Sequence, residues 1–279
     1  MNDISIVAYI KNDLAFVDQF WRHIHTYDPR EIALVDTGSI DGTFEALSAA
    51  PKTPGIIYKI EQQENYSGMV SSFNAAVSMA TSKWVVKLDI DELLSKSTQE
   101  KIFETIAEDK HNCISIPTIH HFINSDLFFD CLDQHPDYHE RIFKREAWGV
   151  NSETNSRNHG SIIWAKPLNI LRLGAEHPLY HYSLLRPFKK LQKRSIINYY
   201  IDIEKKTDPR ILKYIDQNID EYIQMFKLSN TGVTPAWQTE PRLINFNDLG
   251  EYYIGEYIKW GRCVNFKKPE DLILHKIEA

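Results

Sequence analysis

The sequence predicts an α/β fold: a mostly parallel central sheet flanked by helices, with a helical C-terminal extension. Short apolar runs rich in β-branched residues alternate with helical patterns over roughly the first 110 residues, as in successive βαβ units. Two of these runs end abruptly in aspartates, at residues 36 and 89. The 279 residues are 43% hydrophobic and 25% charged, which is enough apolar material for a sizeable core.

Each element follows from a local pattern. Apolar β-branched runs predict strands, whereas apolar residues spaced by three and four predict amphipathic helices. Phe16, Phe20 and Ile24 have this helical spacing, and Asp13 precedes them as a candidate cap. The predicted strands are 4–10, 31–35, 56–60, 84–88 and 113–117. The predicted helices are 16–24, 44–49, 71–80 and 102–107.

The pattern changes twice beyond residue 119. Residues 120–182 mix aromatic, histidine and polar side chains without a clear period, which predicts loops and short strands that shape a binding site. Helical spacing returns after Pro187. We therefore expect one α/β domain over residues 1–185 and a mainly helical extension over residues 186–279 packed on it.

The composition argues against several classes of protein. A net charge of −6 is unusual for a dedicated nucleic-acid binder. Three cysteines without CxxC spacing predict a reducing compartment and no structural zinc site. No apolar run reaches the roughly 18 residues of a membrane span. The first residues resemble a strand and not a signal peptide, so we expect a cytoplasmic protein.

One stretch, residues 186–213, is locally basic, with nine lysines and arginines against three acids. One interpretation is a solvated helical face. The other is a contact with an anionic acceptor, a nucleic acid or a lipid surface at the inner face of the membrane.

The most informative segment is Asp89-Ile90-Asp91-Glu92, which directly follows an apolar run. On a strand, the spacing of Asp89 and Asp91 places both side chains on one face. Open α/β sheets bind ligands at the carboxyl ends of their strands, and paired carboxylates suit Mg²⁺ or Mn²⁺. The alternative is a polar turn that caps the next helix, because residues 97–100 resemble a capping box.

A second acidic loop, residues 36–43, also follows a strand. Its glycines allow a tight turn beside a ligand, and Asp36 is placed to accept hydrogen bonds from a nucleobase or a ribose. Alternatively, Asp41 or Thr43 caps the following helix. The loop lacks the Gly-Lys-Ser/Thr ending of a P-loop, and the chain contains no G-x-G-x-x-G.

Taken in order, Lys11-Asn12-Asp13, residues 35–43, residues 66–74 and residues 84–92 resemble family 2 glycosyltransferases of the GT-A fold. The resemblance is strongest to the branch that decorates bacterial lipopolysaccharide and capsule. It is good over roughly the first 95 residues and loose over residues 138–148 and 177–182. Many members carry an arginine just before the asparagine that matches Asn74, where this chain has Phe73.

The resemblance implies that residues 1–185 bind a nucleotide-sugar and catalyse its reaction. Asp36 would bind the base, Asp89 would hold the ribose or a metal-bound water, and Asp91 would ligate the metal on the diphosphate. The implied nucleotide-binding residues are Ala8, Ile10, Asp36, Ser39, Asn74 and Asp89. The implied metal ligands are Asp91, Asp89 and a late histidine, His181, with His177 as its competitor.

Two further roles come from the same resemblance. Arg141 lies in a segment similar to a strand whose arginine supports the site and contacts phosphate. A general base must deprotonate the acceptor hydroxyl, and Glu153 matches its position in the chain. The rival carboxylates are Asp133, Glu140 and Glu176. The remaining histidines have no zinc-ligand spacing.

The leading hypothesis is therefore a metal-dependent, inverting glycosyltransferase that uses Mn²⁺ or Mg²⁺ and a nucleotide-sugar, expected to be a UDP-sugar. The expected acceptor is a hydroxyl of a cell-surface glycan or glycolipid, and the alternative acceptors are a protein or a modified nucleic acid. A sugar nucleotidyltransferase would need a glycine-rich loop where residues 8–13 have none. A non-catalytic sugar-binding module predicts a decayed acidic motif, and this motif is intact.

Overall fold

The computed structural model describes residues 2–63, 69–119, 122–124, 127–130, 137–149, 164–181 and 265–267. The basic stretch 186–213, the expected boundary after residue 185 and two of the candidate bases, Asp133 and Glu153, lie outside these residues. Within the described part of the chain, no helix is long and apolar enough to cross a membrane.

The described residues form twelve strands and four α-helices. The strands are β1 (Asn2–Ile10), β2 (Pro29–Asp36), β3 (Ile57–Gln62), β4 (Trp84–Lys87), β5 (Glu92–Leu94), β6 (Cys113–Ile119), β7 (Phe122–Asn124), β8 (Leu127–Asp130), β9 (Asp137–Lys144), β10 (Ile170–Arg172), β11 (Leu179–His181) and β12 (Asn265–Lys267). The helices are α1 (Val17–His25), α2 (Thr43–Ala49), α3 (Met69–Met79) and α4 (Lys96–Glu108). Single turns of 3-10 helix lie at Leu14–Phe16 and Arg145–Ala147.

Nine of these strands form one sheet in the order β3-β2-β1-β4-β9-β6-β11-β5, with β10 beside β6. The first four are parallel neighbours, as the βαβ pattern predicts. β9 then runs antiparallel between β4 and β6. The α/β class with a central sheet flanked by helices is thus confirmed, and its second half is more mixed than its first.

A second, small antiparallel sheet has the order β12-β8-β7. Its strand β12 comes from the part of the chain predicted to be mainly helical. The rest of that extension lies outside the described residues, so its helical character stays a prediction.

The central sheet is covered on both faces. Ile6 and Ala8 of β1 pack in a cluster with residues of α1, α2 and α4, whereas Val7 packs in a second cluster with residues of α3. Strands buried on both faces read as continuous apolar runs, which is why 4–10 and 84–88 were recognisable in the sequence.

Helix α4 begins six residues before its predicted start at residue 102. Its N-cap is Ser95, whose side-chain oxygen accepts the backbone N–H of Thr98 at 3.1 Å. The predicted capping box at residues 97–100 is therefore wrong. The first turn of α4 is polar, so the apolar period used for the prediction becomes visible only from Ile102 onward.

A buried carboxylate joins the strands at the sheet edge opposite the acidic loops. Glu31 accepts hydrogen bonds from the Ser5 hydroxyl at 2.6 Å, the Thr81 N–H at 2.6 Å and the Lys59 ammonium at 3.2 Å, and also from the Thr81 hydroxyl. Burial alone would raise the pKa of Glu31, but these hydrogen bonds outweigh burial and lower the pKa to about 2. The charged carboxylate therefore holds β1, β2, β3 and the segment between α3 and β4 together.

Replacing Glu31 by Gln should lower the free energy of unfolding by about 1–3 kcal/mol, because a charged acceptor of several hydrogen bonds is lost. Urea denaturation measures the change. The matched control is Glu61→Gln, which alters an exposed glutamate of β3. Equal stabilities of the two variants would contradict this role for Glu31.

His23 connects α1 to β5. Its Nε2 accepts the Leu94 backbone N–H at 3.1 Å, and burial lowers the pKa of His23 to about 3. The folded protein therefore keeps this histidine neutral, whereas the unfolded chain takes up the proton near pH 6.5.

Because the unfolded state binds this proton first, stability should fall as the pH drops from about 6.5 towards 3, by up to about 1.4 kcal/mol per pH unit. The variant His23→Gln keeps an acceptor for Leu94 but does not titrate, so its stability should depend less steeply on pH. Urea titrations between about pH 6 and pH 4 compare the two slopes. Identical slopes would show that His23 is not the cause.

Candidate active site

The candidate site lies at one edge of the parallel half of the sheet. Because β1, β2 and β4 are parallel, their carboxyl ends bring three loops together, at residues 11–13, 37–42 and 88–91. This is the edge at which open α/β sheets bind ligands.

The first two loops are bonded to each other through Asn12. Its side-chain oxygen accepts the Ile40 N–H at 2.8 Å, and its own N–H donates to the Ser39 hydroxyl at 2.8 Å. Asn12 has a left-handed backbone with φ of 53°, which asparagine tolerates better than most residues. The hydroxyl of Ser39, a predicted nucleotide-binding residue, is thus used to join the loops.

Asp36 is fully buried at the end of β2. One carboxylate oxygen accepts the backbone N–H groups of Gly38 and Ser39 at 3.0 and 2.9 Å, and the Gln62 amide at 3.2 Å. The other oxygen, Oδ2, is buried with no hydrogen-bond partner among the described residues. Buried polar atoms are nearly always paired, so this oxygen marks a place where a ligand donor fits.

The other predicted nucleotide-binding residues surround this position in different ways. Ala8 and Ile10 have buried side chains in the core, and the Ile10 carbonyl accepts the Thr37 N–H at 2.9 Å. Asn74 lies half-buried in α3. Asp41 accepts the Thr43 N–H at 3.1 Å, but the N-cap of α2 is Gly42, so the expected cap at Asp41 or Thr43 is wrong.

The acidic segment forms a closed turn. The Asp89 N–H donates to Oε2 of Glu92 at 2.9 Å, and the Glu92 N–H donates to the Asp89 carbonyl at 3.0 Å. Asp91 and Glu92 are almost completely buried, with exposures of 3% and 0%. Buried carboxylates at this density require cations nearby.

Two basic side chains supply that charge. Val86 of β4 lies opposite Ile142 of β9, so Lys87 and Arg141 follow at neighbouring positions beside the turn. The Lys87 ammonium lies 2.9 and 3.0 Å from the two Asp89 oxygens. Arg141 pairs with Oε1 of Glu92 and lies 3.5 Å from Asp89.

These charges determine the protonation of the turn. Burial alone would raise the pKa of Asp89, but Lys87 and Arg141 outweigh it and hold that pKa well below the usual range. Burial alone would lower the pKa of Arg141, but Glu92 and Asp89 raise it above its ordinary value. Asp89 and Arg141 are therefore both charged at neutral pH.

The late histidine reaches the turn through strand pairing. β11 runs antiparallel to β5, with His181 opposite Glu92. Nε2 of His181 lies 3.3 Å from Oδ2 of Asp91, and its Nδ1 lies 4.0 Å from Oε1 of Glu92. The competitor, His177, is instead 3.9 Å from Glu176. Of the two histidines, the geometry brings His181 to the acidic turn.

The donor atoms suit a divalent cation. Asp89, Glu92 and His181 offer ligand atoms that all lie within 4.8 Å of one another, and carboxylates with an imidazole are ligands of divalent metal ions. The predicted ligand set had Asp91 in place of Glu92. Asp91 also reaches this group, because its Oδ2 lies 3.3 Å from Nε2 of His181.

Sequence reasoning missed Lys87, because it read residues 84–88 as a uniformly buried strand. The available signal was a lysine within that apolar run, two residues before an aspartate, since lysines are rarely buried without a partner. Of the candidate bases that the structure describes, Glu140 lies in β9 with its carboxylate 3.4 Å from the Ser115 hydroxyl. The other, Glu176, lies beside His177.

A family model described as "Glycosyl transferase family 2" matches residues 5–161, more than half of the chain. The chain belongs to this family. The matched span contains the Asp36 loop, the acidic turn and Arg141, whereas His181 lies beyond it. The predicted family is confirmed, and the fold of this family 2 glycosyltransferase is the GT-A fold expected from the sequence.

Three individual proteins illustrate the similarity. The glycosyltransferase GlyG of Streptococcus pneumoniae serotype 4 is 28% identical over 107 residues, which are 38% of this chain and 35% of GlyG. The match thus spans about a third of that relative's length. A crystal structure of S. aureus TarS 1–349 has a TM-score of 0.42 at 15% identity, covering 82% of this chain and 73% of TarS. The mannosyltransferase PcManGT of Pyrobaculum calidifontis, in complex with GDP-Man and Mn²⁺, has a TM-score of 0.44 at 13% identity, covering 92% and 86%.

Removing the guanidinium of Arg141 would leave the carboxylate of Glu92 buried without its cation. We expect Arg141→Met to lower the free energy of unfolding by about 3–5 kcal/mol, whereas Arg145→Met, which alters an exposed arginine just after β9, should change it by less than about 0.5 kcal/mol. Thermal and urea unfolding measure both.

The double variant Arg141→Met/Glu92→Met removes both charges and should recover part of the lost stability. If the loss of unfolding free energy in the double variant equals the sum of the losses in Arg141→Met and Glu92→Met, the two side chains do not interact energetically. The proposed role of the ion pair in the turn would then be wrong.

Proposed function

We propose that this chain is a metal-dependent, inverting glycosyltransferase that moves a sugar from a UDP-sugar to a hydroxyl of a cell-surface saccharide. One observation carries the proposal: within a family 2 glycosyltransferase, the acidic turn and His181 come together at the sheet edge where Asp36 lies. The acidic turn would bind a cation together with the diphosphate of the donor, and Asp36 would bind the nucleobase.

Asp36 is the proposed partner of the donor's nucleobase. Its buried Oδ2 has no partner among the described residues and would accept the N3–H of uracil. The bonds from Gly38 and Ser39 to the other oxygen fix the carboxylate and stabilise its charge. The two joined loops around Asn12 keep this acceptor rigid, and Ala8, Ile10 and Asn74 remain the proposed surroundings of the nucleoside.

The diphosphate end is assigned to the acidic turn. Asp89, Asp91 and His181 would hold Mn²⁺ or Mg²⁺, and Arg141 keeps the turn in place through Glu92. When bound, such a cation stabilises the negative charge on the leaving nucleoside diphosphate.

Inversion requires the acceptor hydroxyl to attack the anomeric carbon from the side opposite the diphosphate, while a carboxylate removes its proton. Glu153 remains the proposed base, with Asp133, Glu140 and Glu176 as alternatives. The glycan or glycolipid acceptor, the cytoplasmic location and the contact of residues 186–213 with an anionic surface also remain predictions.

Calorimetric titration of UDP with and without Mn²⁺ tests the donor site. UDP should bind at least about tenfold more tightly with Mn²⁺. Asp91→Asn should remove most of this enhancement, since Asp91 is a proposed direct ligand and loss of even an outer-shell partner costs about 10- to 100-fold in metal affinity. Asp18→Asn, at an exposed position of α1, is the control and should behave like wild type.

Two results would contradict the proposal. Equal binding of UDP with and without Mn²⁺, unchanged in Asp91→Asn, would reject metal dependence. Binding of GDP in preference to UDP would reject the assignment of uracil to Asp36. An assay of UDP release from UDP-sugars then follows the transfer itself.

A further inference from the structure

Lys87 is an unusual residue for its position. It ends β4 with only 8% of its surface exposed, and burial of a lysine is costly unless its charge is paired. Its ammonium contacts both Asp89 oxygens and lies 5.4 Å from the centre of the Tyr9 ring. The strand, the ring and the carboxylate thus fix the charge beside the acidic turn.

The turn is close to electrostatic balance without any bound ion. Three carboxylates, on Asp89, Asp91 and Glu92, face two cationic side chains, Lys87 and Arg141, which leaves about one net negative charge when His181 is neutral. A divalent cation would turn this small excess into a positive one. A nucleoside diphosphate brings the negative charge that restores the balance, so cation and diphosphate should favour each other's binding.

The two basic side chains differ in their freedom to change partners. Arg141 is held in place by its ion pair with the fully buried Glu92. The contacts of Lys87 are to Asp89, which is 22% exposed, and to the face of an aromatic ring, and its side chain is a flexible four-carbon stem. A cation that approaches Asp89 meets the ammonium within about 3 Å of the same oxygens, where like charges repel strongly.

We propose that Lys87 is a built-in counter-ion of Asp89 that makes divalent-cation binding conditional on the nucleoside diphosphate. This inference rests on the proposed function. It makes Lys87 a positioning residue that sets the thermodynamic coupling between metal and nucleotide. That coupling is reciprocal, so each ligand raises the affinity for the other by the same factor.

The experiment measures Mn²⁺ binding by calorimetry and by electron paramagnetic resonance, in the absence and presence of UDP. Lys87→Met removes the charge but keeps an unbranched side chain that packs on Tyr9, and Lys87→Arg keeps the charge. The matched control is Lys144→Met, because Lys144 also lies over an aromatic ring, 5.5 Å from that of Trp84, and also pairs with an aspartate, Asp109, at 2.8 Å.

Lys87→Met should bind Mn²⁺ alone about tenfold more tightly than wild type, and the enhancement of Mn²⁺ binding by UDP should shrink about tenfold. Lys87→Arg and Lys144→Met should retain the wild-type coupling. Thermal unfolding establishes that each variant is folded, and Lys87→Gln replaces Lys87→Met if the latter does not fold.

The outcomes separate this inference from the proposed function. If wild type shows coupling between UDP and Mn²⁺ but Lys87→Met matches it in both affinities, the role of Lys87 is wrong and the proposed function stands. If wild type binds no UDP in the presence of Mn²⁺, the proposed function fails and the role of Lys87 fails with it.

Discussion

The buried ion pair between Arg141 and Glu92 is the interaction on which the candidate site depends. Glu92 begins β5 and Arg141 lies in β9, so the pair joins two strands that are not neighbours in the sheet. The second Glu92 oxygen accepts the Asp89 N–H, which closes the turn. Without the guanidinium, this arrangement would place a full charge in a site with no exposure to water. The orientation of Asp89 and Asp91 therefore follows from a contact made outside the motif itself.

The same sheet is stabilised differently at its two edges. At one edge, Glu31 receives hydrogen bonds from several elements and serves as a purely structural anion. At the other, Asp36 keeps one buried oxygen without a partner among the described residues, and the acidic turn concentrates charge. A buried carboxylate oxygen without a partner at the carboxyl ends of parallel strands favours a ligand site, because open α/β sheets bind ligands there.

Local sequence patterns predict the features that depend on residues close together in the chain. The parallel strands and the position of the Asp36 loop follow from short-range periodicity, and the resemblance to a family predicts His181. β4 ends at Lys87, so Asp89 and Asp91 lie in a turn and not on one face of a strand. The antiparallel course of β9, the burial of Glu92 under Arg141 and the pairing of Lys87 with Asp89 depend on contacts between residues far apart in the chain or on the final burial of a strand. The spacing of apolar residues depends only on neighbours in the sequence and does not encode such contacts. The pattern of residues 84–88 therefore predicts a core strand and gives no sign that Lys87 pairs with Asp89.

Charge balance at the acidic turn also bears on turnover. A site with three unpaired carboxylates would hold a divalent cation tightly. A tightly held cation would in turn retain a nucleoside diphosphate product, and product release sets the turnover rate of many enzymes. Lys87 and Arg141 reduce that attraction before any ligand arrives, because they already neutralise two of the three charges. Under the proposed coupling, the binding energy of the cation would depend on the diphosphate, and the two would bind and dissociate together. On this argument, the lysine that disrupts the apolar pattern of β4 is as much a part of the site as the aspartates that follow it.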